Sequence, residues 1–421
     1  MRIALALTFT CLVGCETLVG IAPKDDNGRG GKAGTGGTVG TGGTGGTPGA
    51  SGDGGTAPEA GAGSSNEGGT AGSATLEAGA DSGGTNGADA PNEVGDAGAG
   101  NDGDTGDSRP PPEECPREFE VPTTGAHPLN IEAGPDGNLW FTEAYKAKIG
   151  RITPQGKIDE FGPTSPSPWS LTTGPDGALW YTAANFAGRS YGWIGRISTS
   201  GEITEHLLDA VPGEITTGPD GNLWFTYAIG KVGKMTPSGQ VTSYDLPSAD
   251  GAPPSELVGI TPGSDGNLWF VLQRGTAPRL GAIVRVTLAG EMTEYPLPIV
   301  PSTDPGFGPL CILRGPDGAL WFTEGERGIG RITTSGARTE FFADMPGNYV
   351  ALAFDFDEHI WVTDYNHDRI GRVAQNGVYS WRALPNESSG PNDIVRGPDG
   401  NLWFTERTGN RIGRMAPGCL K

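Results

Sequence analysis

Gly134-Pro135-Asp136-Gly137-Asn138-Leu139-Trp140-Phe141-Thr142-Glu143 is the phrase whose reading decides the fold. Versions of it recur around Trp180, Trp224, Trp269, Trp321, Trp361 and Trp403, so consecutive tryptophans lie 40, 44, 45, 52, 40 and 42 residues apart. A second phrase, Ile149-Gly150-Arg151-Ile152 in the first copy, follows each of them in some version. A period near forty with this turn-and-strand content marks an all-β, seven-bladed β-propeller built of four-stranded antiparallel blades.

The first copy spells out one blade. Residues 129–133 form a short apolar strand, and Pro135-Asp136-Gly137 supplies a tight turn in which glycine accepts positive φ. Residues 138–143, 148–153 and 157–161 give the other three strands, with Pro154-Gln155-Gly156 turning the last pair. The repeated tryptophans read as packing between blades. The sixth copy replaces the turn with Phe354-Asp355-Phe356-Asp357-Glu358, and the fourth, Gly263-Ser264-Asp265-Gly266, loses the proline.

The last copy ends at Met415 without a fourth strand, and residues 117–121, Arg-Glu-Phe-Glu-Val, match the missing one. The amino-terminal strand should therefore complete the seventh blade and remove a free sheet edge. This alignment brings Cys115 and Cys419 to nearly the same point, which predicts a disulfide across about 300 residues. Cys311 is then the odd thiol, read as a small buried hydrophobe in an inner strand.

Upstream of residue 115 the composition changes. Residues 24–114 contain no Phe, Trp or Tyr and carry 15 acidic against 4 basic residues, about half of the chain's net charge of −21. Such a stretch cannot bury enough apolar surface to offset its ordering entropy, so residues 16–114 are read as a disordered tether preceding the 115–421 propeller. Residues 1–15, with Arg2, an apolar run and Leu12-Val13-Gly14-Cys15, resemble the signal peptide and lipobox of a bacterial lipoprotein, with Cys15 the lipidated residue. The expectation is an exported monomer, lipid-anchored at the periplasmic face or the cell surface. The absence of any basic run argues against a nucleic-acid partner.

The loops entering strand one and joining strands two and three emerge on one face, and they carry the length variation. Trp169, Phe186, Arg189, Tyr191, Tyr227, Arg274 and Phe307 suit a ligand-binding mouth there, or else pack the loops against one another. Glu143, Glu324, Asp364 and Glu406 end second strands; converging, they would hold a hard cation, while Lys148 and Arg327 beside them fit plain cross-strand ion pairs.

The two phrases, recurring in seven copies over residues 117–415, resemble the virginiamycin B lyase (streptogramin B lyase) family. The resemblance implies a lyase that opens a cyclic depsipeptide by elimination across its threonine ester, with Mg²⁺ and a histidine base from a Glu-Pro-His-Gly-Ile motif. The matching position lies eleven residues before each tryptophan and holds Leu129, Trp169, Gly213, Val258, Leu310, Val350 and Asn392. Five of these follow proline, as the motif does, and none is histidine. His127, aligned with the motif's glutamate, is the candidate base nearest that place. The reading favoured is a binding module for a small molecule, a peptide or a surface protein. A metal-assisted C–O lyase and a structural envelope spacer are the alternatives.

Overall fold

A computed structural model describes residues 115–184, 191–228, 230–247, 255–274, 280–298, 308–343, 346–374 and 376–420. The expected signal segment with Cys15, the expected tether, Phe186, Arg189 and Phe307 lie outside these residues, and of Arg274 only the backbone is described.

The described strands form seven four-stranded antiparallel sheets. The inner strand of each sheet touches that of the next, and the seventh touches the first, so the sheets close into a ring. In the first blade the strands run Pro128–Ala133, Leu139–Glu143, Lys148–Ile152 and Ile158–Phe161, within a residue or two of the expected bounds. The amino-terminal strand Arg117–Glu120 pairs with the strand Arg411–Met415 as the fourth strand of blade seven, Arg117 opposite Arg414. Cys115 and Cys419 are disulfide-bonded beside it, with Cα atoms 6.1 Å apart. Asn410 fastens the same seam: its amide donates to the carbonyls of Val121 and Thr123, each at 3.1 Å, and its Oδ1 accepts from the Ala126 N–H at 2.7 Å.

The repeated phrase is a packing unit. The Trp140 indole N–H donates to Asp136 Oδ1 at 3.0 Å, and the ring stacks on Phe161 of the outer strand with centroids 5.3 Å apart. The Arg151 guanidinium lies over both rings. The other side of Trp140 packs on Leu171, Leu179 and Tyr181 of the next blade. Gly134 leaves room for this ring, since a Cβ there would lie 2.4 Å from Trp140 Cδ1. In blade six Asp355 stands at the glycine position, and its carboxylate, rather than that of the turn aspartate Asp357, accepts from Trp361 Nε1 at 2.9 Å. The irregular sixth turn thus keeps the buried indole satisfied, from six residues upstream instead of four. In the second phrase Gly150 sits opposite Phe141, whose ring crosses where a Cβ would stand, only 2.1 Å from Cζ.

Candidate functional site

The functional geometry begins at the threonine two residues after six of the seven repeated tryptophans. Thr142 Oγ accepts from the Asn130 N–H at 3.1 Å and donates to the Trp169 carbonyl of the next blade at 3.0 Å. Thr182, Thr226, Thr323, Thr363 and Thr405 likewise accept from the backbone N–H groups of Ser170, Glu214, Cys311, Ala351 and Asp393. The inner strand bulges at this point, as in the register shifts between Pro128 and Ile131 and between Pro391 and Ile394. Each bulge leaves two residues outside the regular ladder without orphaning their backbone. Blade four has Val271 in place of the threonine, and its irregularity contracts to Gly259 at φ 59°.

These bulged residues line a cavity of about 270 Å³ on the ring axis. Its upper ring is Leu129, Trp169, Gly213, Val258, Leu310, Val350 and Asn392, the seven positions singled out from the sequence. The next ring is Asn130, Ser170, Glu214, Gly259, Cys311, Ala351 and Asp393, and Glu132 lies further along the same wall. The lining is two-sided. Blades seven, one, two and three supply the polar and acidic groups, while blades four, five and six supply Val258, Ile260, Leu310, Ile312, Val350 and the Cys311 thiol.

The polar arc is wired from blade to blade. Asp393 Oδ2 accepts from Asn130 Nδ2 at 2.6 Å and from the Ile131 N–H at 2.9 Å. Asn130 Oδ1 accepts from the Leu171 N–H at 2.8 Å, and Ser170 Oγ donates to Glu214 Oε2 at 2.7 Å. Burial, and then the charge of Asp393, push Glu132 up to about 7. Burial likewise takes Asp393 to about 7 against its two backbone hydrogen bonds, with Glu214 adding to the rise, and burial raises Glu214 itself. No Lys, Arg or His is among the described residues lining this cavity. Cys311 is half-buried in the wall and packs against the core cluster around Trp321, Tyr349 and Leu352, and burial pushes its thiol up to about 12.

Several sequence-selected residues lie elsewhere. Trp169 does line the cavity, its ring held among Leu129, Ala144, Ala184 and Val211. Tyr227 is 2% exposed, edge-on to Phe225 in the core between blades two and three, so it is a packing residue and not a mouth contact. Its hydroxyl is pushed up to about 12 by burial and then by Asp209. Tyr191 packs edge-on against Trp193 at 5.2 Å. Arg274 ends the strand Leu268–Arg274, opposite Ser255.

The four acids proposed as a shared cation site do not converge. Each occupies the position of Tyr227 in its own blade, turned into that blade's interior. Lys148 and Glu160 flank Glu143; Arg327 and Glu340 flank Glu324. Asp364 is held by Arg369 at 2.7 Å and His367 at 3.0 Å, and Glu406 by Arg411 at 2.9 Å. Among the described residues no three His, Cys, Asp or Glu side chains are grouped as a metal site requires. The donor set expected for Mg²⁺ therefore does not fit one ion.

None of the four histidines is among the described residues around the cavity. His127 has φ 52°, its N–H donates to Asn410 Oδ1 at 3.2 Å, and its ring tilts against Tyr145 at 4.5 Å. His206 stacks on Trp180, and His359 meets Asp355. The channel acids Glu132, Glu214 and Asp393 escaped the sequence reading, which looked for carboxylates at strand ends. The signal was present one residue past the motif column, where Glu214 and Asp393 follow Gly213 and Asn392.

Residues 106–305 and 276–419 match the virginiamycin B lyase family. The chain belongs to that family. Virginiamycin B lyase of Nocardia farcinica is 35% identical over 111 residues, 26% of this chain and 38% of that protein. The counterpart in Saccharopolyspora erythraea is 49% identical over 41 residues, 10% of this chain and 14% of its own length. The chain thus aligns with well under half of each of these relatives. Among solved structures, selenomethionine-substituted virginiamycin B lyase from Staphylococcus aureus is 32% identical, with a TM-score of 0.61 over 71% of this chain and 98% of that one. The same scores hold for a catalytically inactive histidine-to-alanine variant of the S. aureus lyase solved with quinupristin.

Proposed function

We propose that this member of the virginiamycin B lyase family binds a small molecule or peptide at its channel mouth and does not carry out the elimination. One observation carries this reading: the upper ring offers leucine, tryptophan, glycine, valine and asparagine, and no histidine stands among the described groups around the cavity. A base must reach the proton that it removes, and His127, which belongs to the blade-seven seam through Asn410, is not among the residues of that wall. The variant solved with quinupristin is inactive for want of a histidine, which supports the same inference.

The head would be exported and lipid-anchored at Cys15, with residues 16–114 as its tether. About 90 flexible residues span roughly 50 Å at ~5–6 Å per root residue. The Cys115–Cys419 bond suits an oxidising compartment. Family membership favours a second reading, a C–O lyase with a displaced base.

The deciding experiment incubates the full chain with virginiamycin B and Mg²⁺ and follows the antibiotic by mass spectrometry. The expected result is intact antibiotic. Linearised product would overturn the binding-only reading, and loss of turnover in His127→Ala would then identify the base.

A further inference from the structure

The channel is acidic on one side and apolar on the other, and no Lys, Arg or His is among the described residues that line it. Three carboxyls, Glu132, Glu214 and Asp393, share one wall, and each of Glu132 and Asp393 feels another's charge. An isolated ion pair would have placed an arginine or lysine among them, as happens elsewhere in this ring, where Asp364 meets Arg369 and Glu406 meets Arg411.

A further acceptor points the same way. Asn392 is 4% exposed; its amide nitrogen donates to the Leu129 carbonyl at 3.0 Å, and its buried Oδ1 has no hydrogen-bond partner. Glu214 of the same wall accepts from the Ser170 hydroxyl on Oε2 at 2.7 Å. Buried acceptors are seldom left without donors, so Asn392 Oδ1 leaves room for one on a wall whose described residues also carry no positive charge.

We propose that the channel is a binding site for a small organic cation, a primary ammonium carrying an apolar group. The ammonium has three donors and no acceptor, which matches a wall of carboxylate and amide oxygens. The apolar group faces Val258, Ile260, Leu310 and Val350 on the opposite side. A cavity of about 270 Å³ limits the ligand to a single ring or a short alkyl chain. This deepens the binding reading given above and rests on it. The two are tested apart, because antibiotic turnover is read by product mass and channel occupancy by titration.

The experiment is calorimetric titration of the full chain, at a pH of about 8, with phenethylamine, 2-phenylethanol and 3-phenylpropanoate, which share shape and differ in charge. Phenethylamine should bind at least about tenfold tighter than the alcohol, and the carboxylate should not bind. Glu214→Gln should cost the amine about tenfold and leave the alcohol unchanged, with the urea midpoint reporting that the fold is intact. Ala351→Phe, which fills the channel from its apolar side, should abolish both. In a repeat at about pH 6, binding should release protons, since Glu132 and Asp393, held at about 7 by burial, and Glu214, raised by burial, favour ionisation beside an ammonium, and Cys311 stays protonated. Equal affinity for amine and alcohol, or no heat with millimolar phenethylamine, overturns the proposal.

Discussion

Glu143 gives the sharpest test of the electrostatics inside the blades. It ends the second strand of blade one, and both carboxylate oxygens are buried without a hydrogen-bond partner. The nearby cation is committed elsewhere: Lys148 Nζ lies 2.7 Å from both Glu160 Oε2 and Thr123 Oγ. Burial, followed by the charge of Glu160, pushes Glu143 up to about 8 from 4.5, and the opposing pull of Lys148 is smaller. A carboxyl whose pKa is higher folded than unfolded holds its proton more tightly in the native state. Its contribution is fully present below about pH 4.5 and is lost as pH rises through about 8. At 1.36 kcal/mol per pK unit, this group should remove about 3–4 kcal/mol of stability between about pH 5 and about pH 8. Glu143→Gln has the shape of the protonated acid and cannot ionise. Urea unfolding followed by tryptophan fluorescence should show the variant within about 1 kcal/mol of the parent at about pH 5, and more stable by about 3–4 kcal/mol at about pH 8. Glu132, Glu324, Asp393 and Glu406 slope the parent's own curve in the same direction, so the difference between the two proteins is what counts. Parallel curves across that range would refute an uncompensated Glu143.

Three further changes probe the scaffold. Cys115→Ser with Cys419→Ser opens a link across 304 residues, which the chain-entropy relation values at about 5–6 kcal/mol; urea unfolding measures the loss, and unreduced peptide mapping that finds both thiols free would sink the closure. Gly150→Ala puts a Cβ 2.1 Å from Phe141 Cζ and should cost about 1–3 kcal/mol, relieved when Phe141→Leu is added; an unrelieved loss would place the strain elsewhere. Asp355→Ala takes the acceptor from the buried Trp361 indole and from the His359 N–H, a loss of about 1–3 kcal/mol by the same unfolding assay; unchanged stability would deny Asp355 its substitute role.

The ring was legible because its packing is written in the repeated phrase. Trp140, Asp136, Gly134, Arg151 and Gly150 are each fixed by a contact that recurs round the ring, so one copy explains the others. The closing strand was legible for the same reason: Phe119 stacks on Trp403 as Phe161 stacks on Trp140. The end of strand two misled the reading because its acids look like mouth residues in a linear sequence. Period-two alternation turns that column inward, where Tyr227 and Leu272 share it with Glu143 and Glu406. Burial at a strand end depends on the neighbouring blade, which no single copy contains.

The channel was hidden by a different cause. At the bulge the threonine two residues after the tryptophan, present in every blade but the fourth, satisfies the inner strand's backbone, whatever side chains the two bulged residues carry. Asn130, Ser170, Glu214, Cys311 and Ala351 all fit one backbone arrangement. The scaffold therefore places no constraint on the positions that touch a ligand, and the ring that holds a histidine motif can equally hold Leu129, Trp169 and Asn392. A phrase that specifies the propeller this strongly is silent on its chemistry for that reason. The informative sites are the columns in which the seven copies disagree, and there Glu214, Asp393 and Asn392 stand together on one side of the axis.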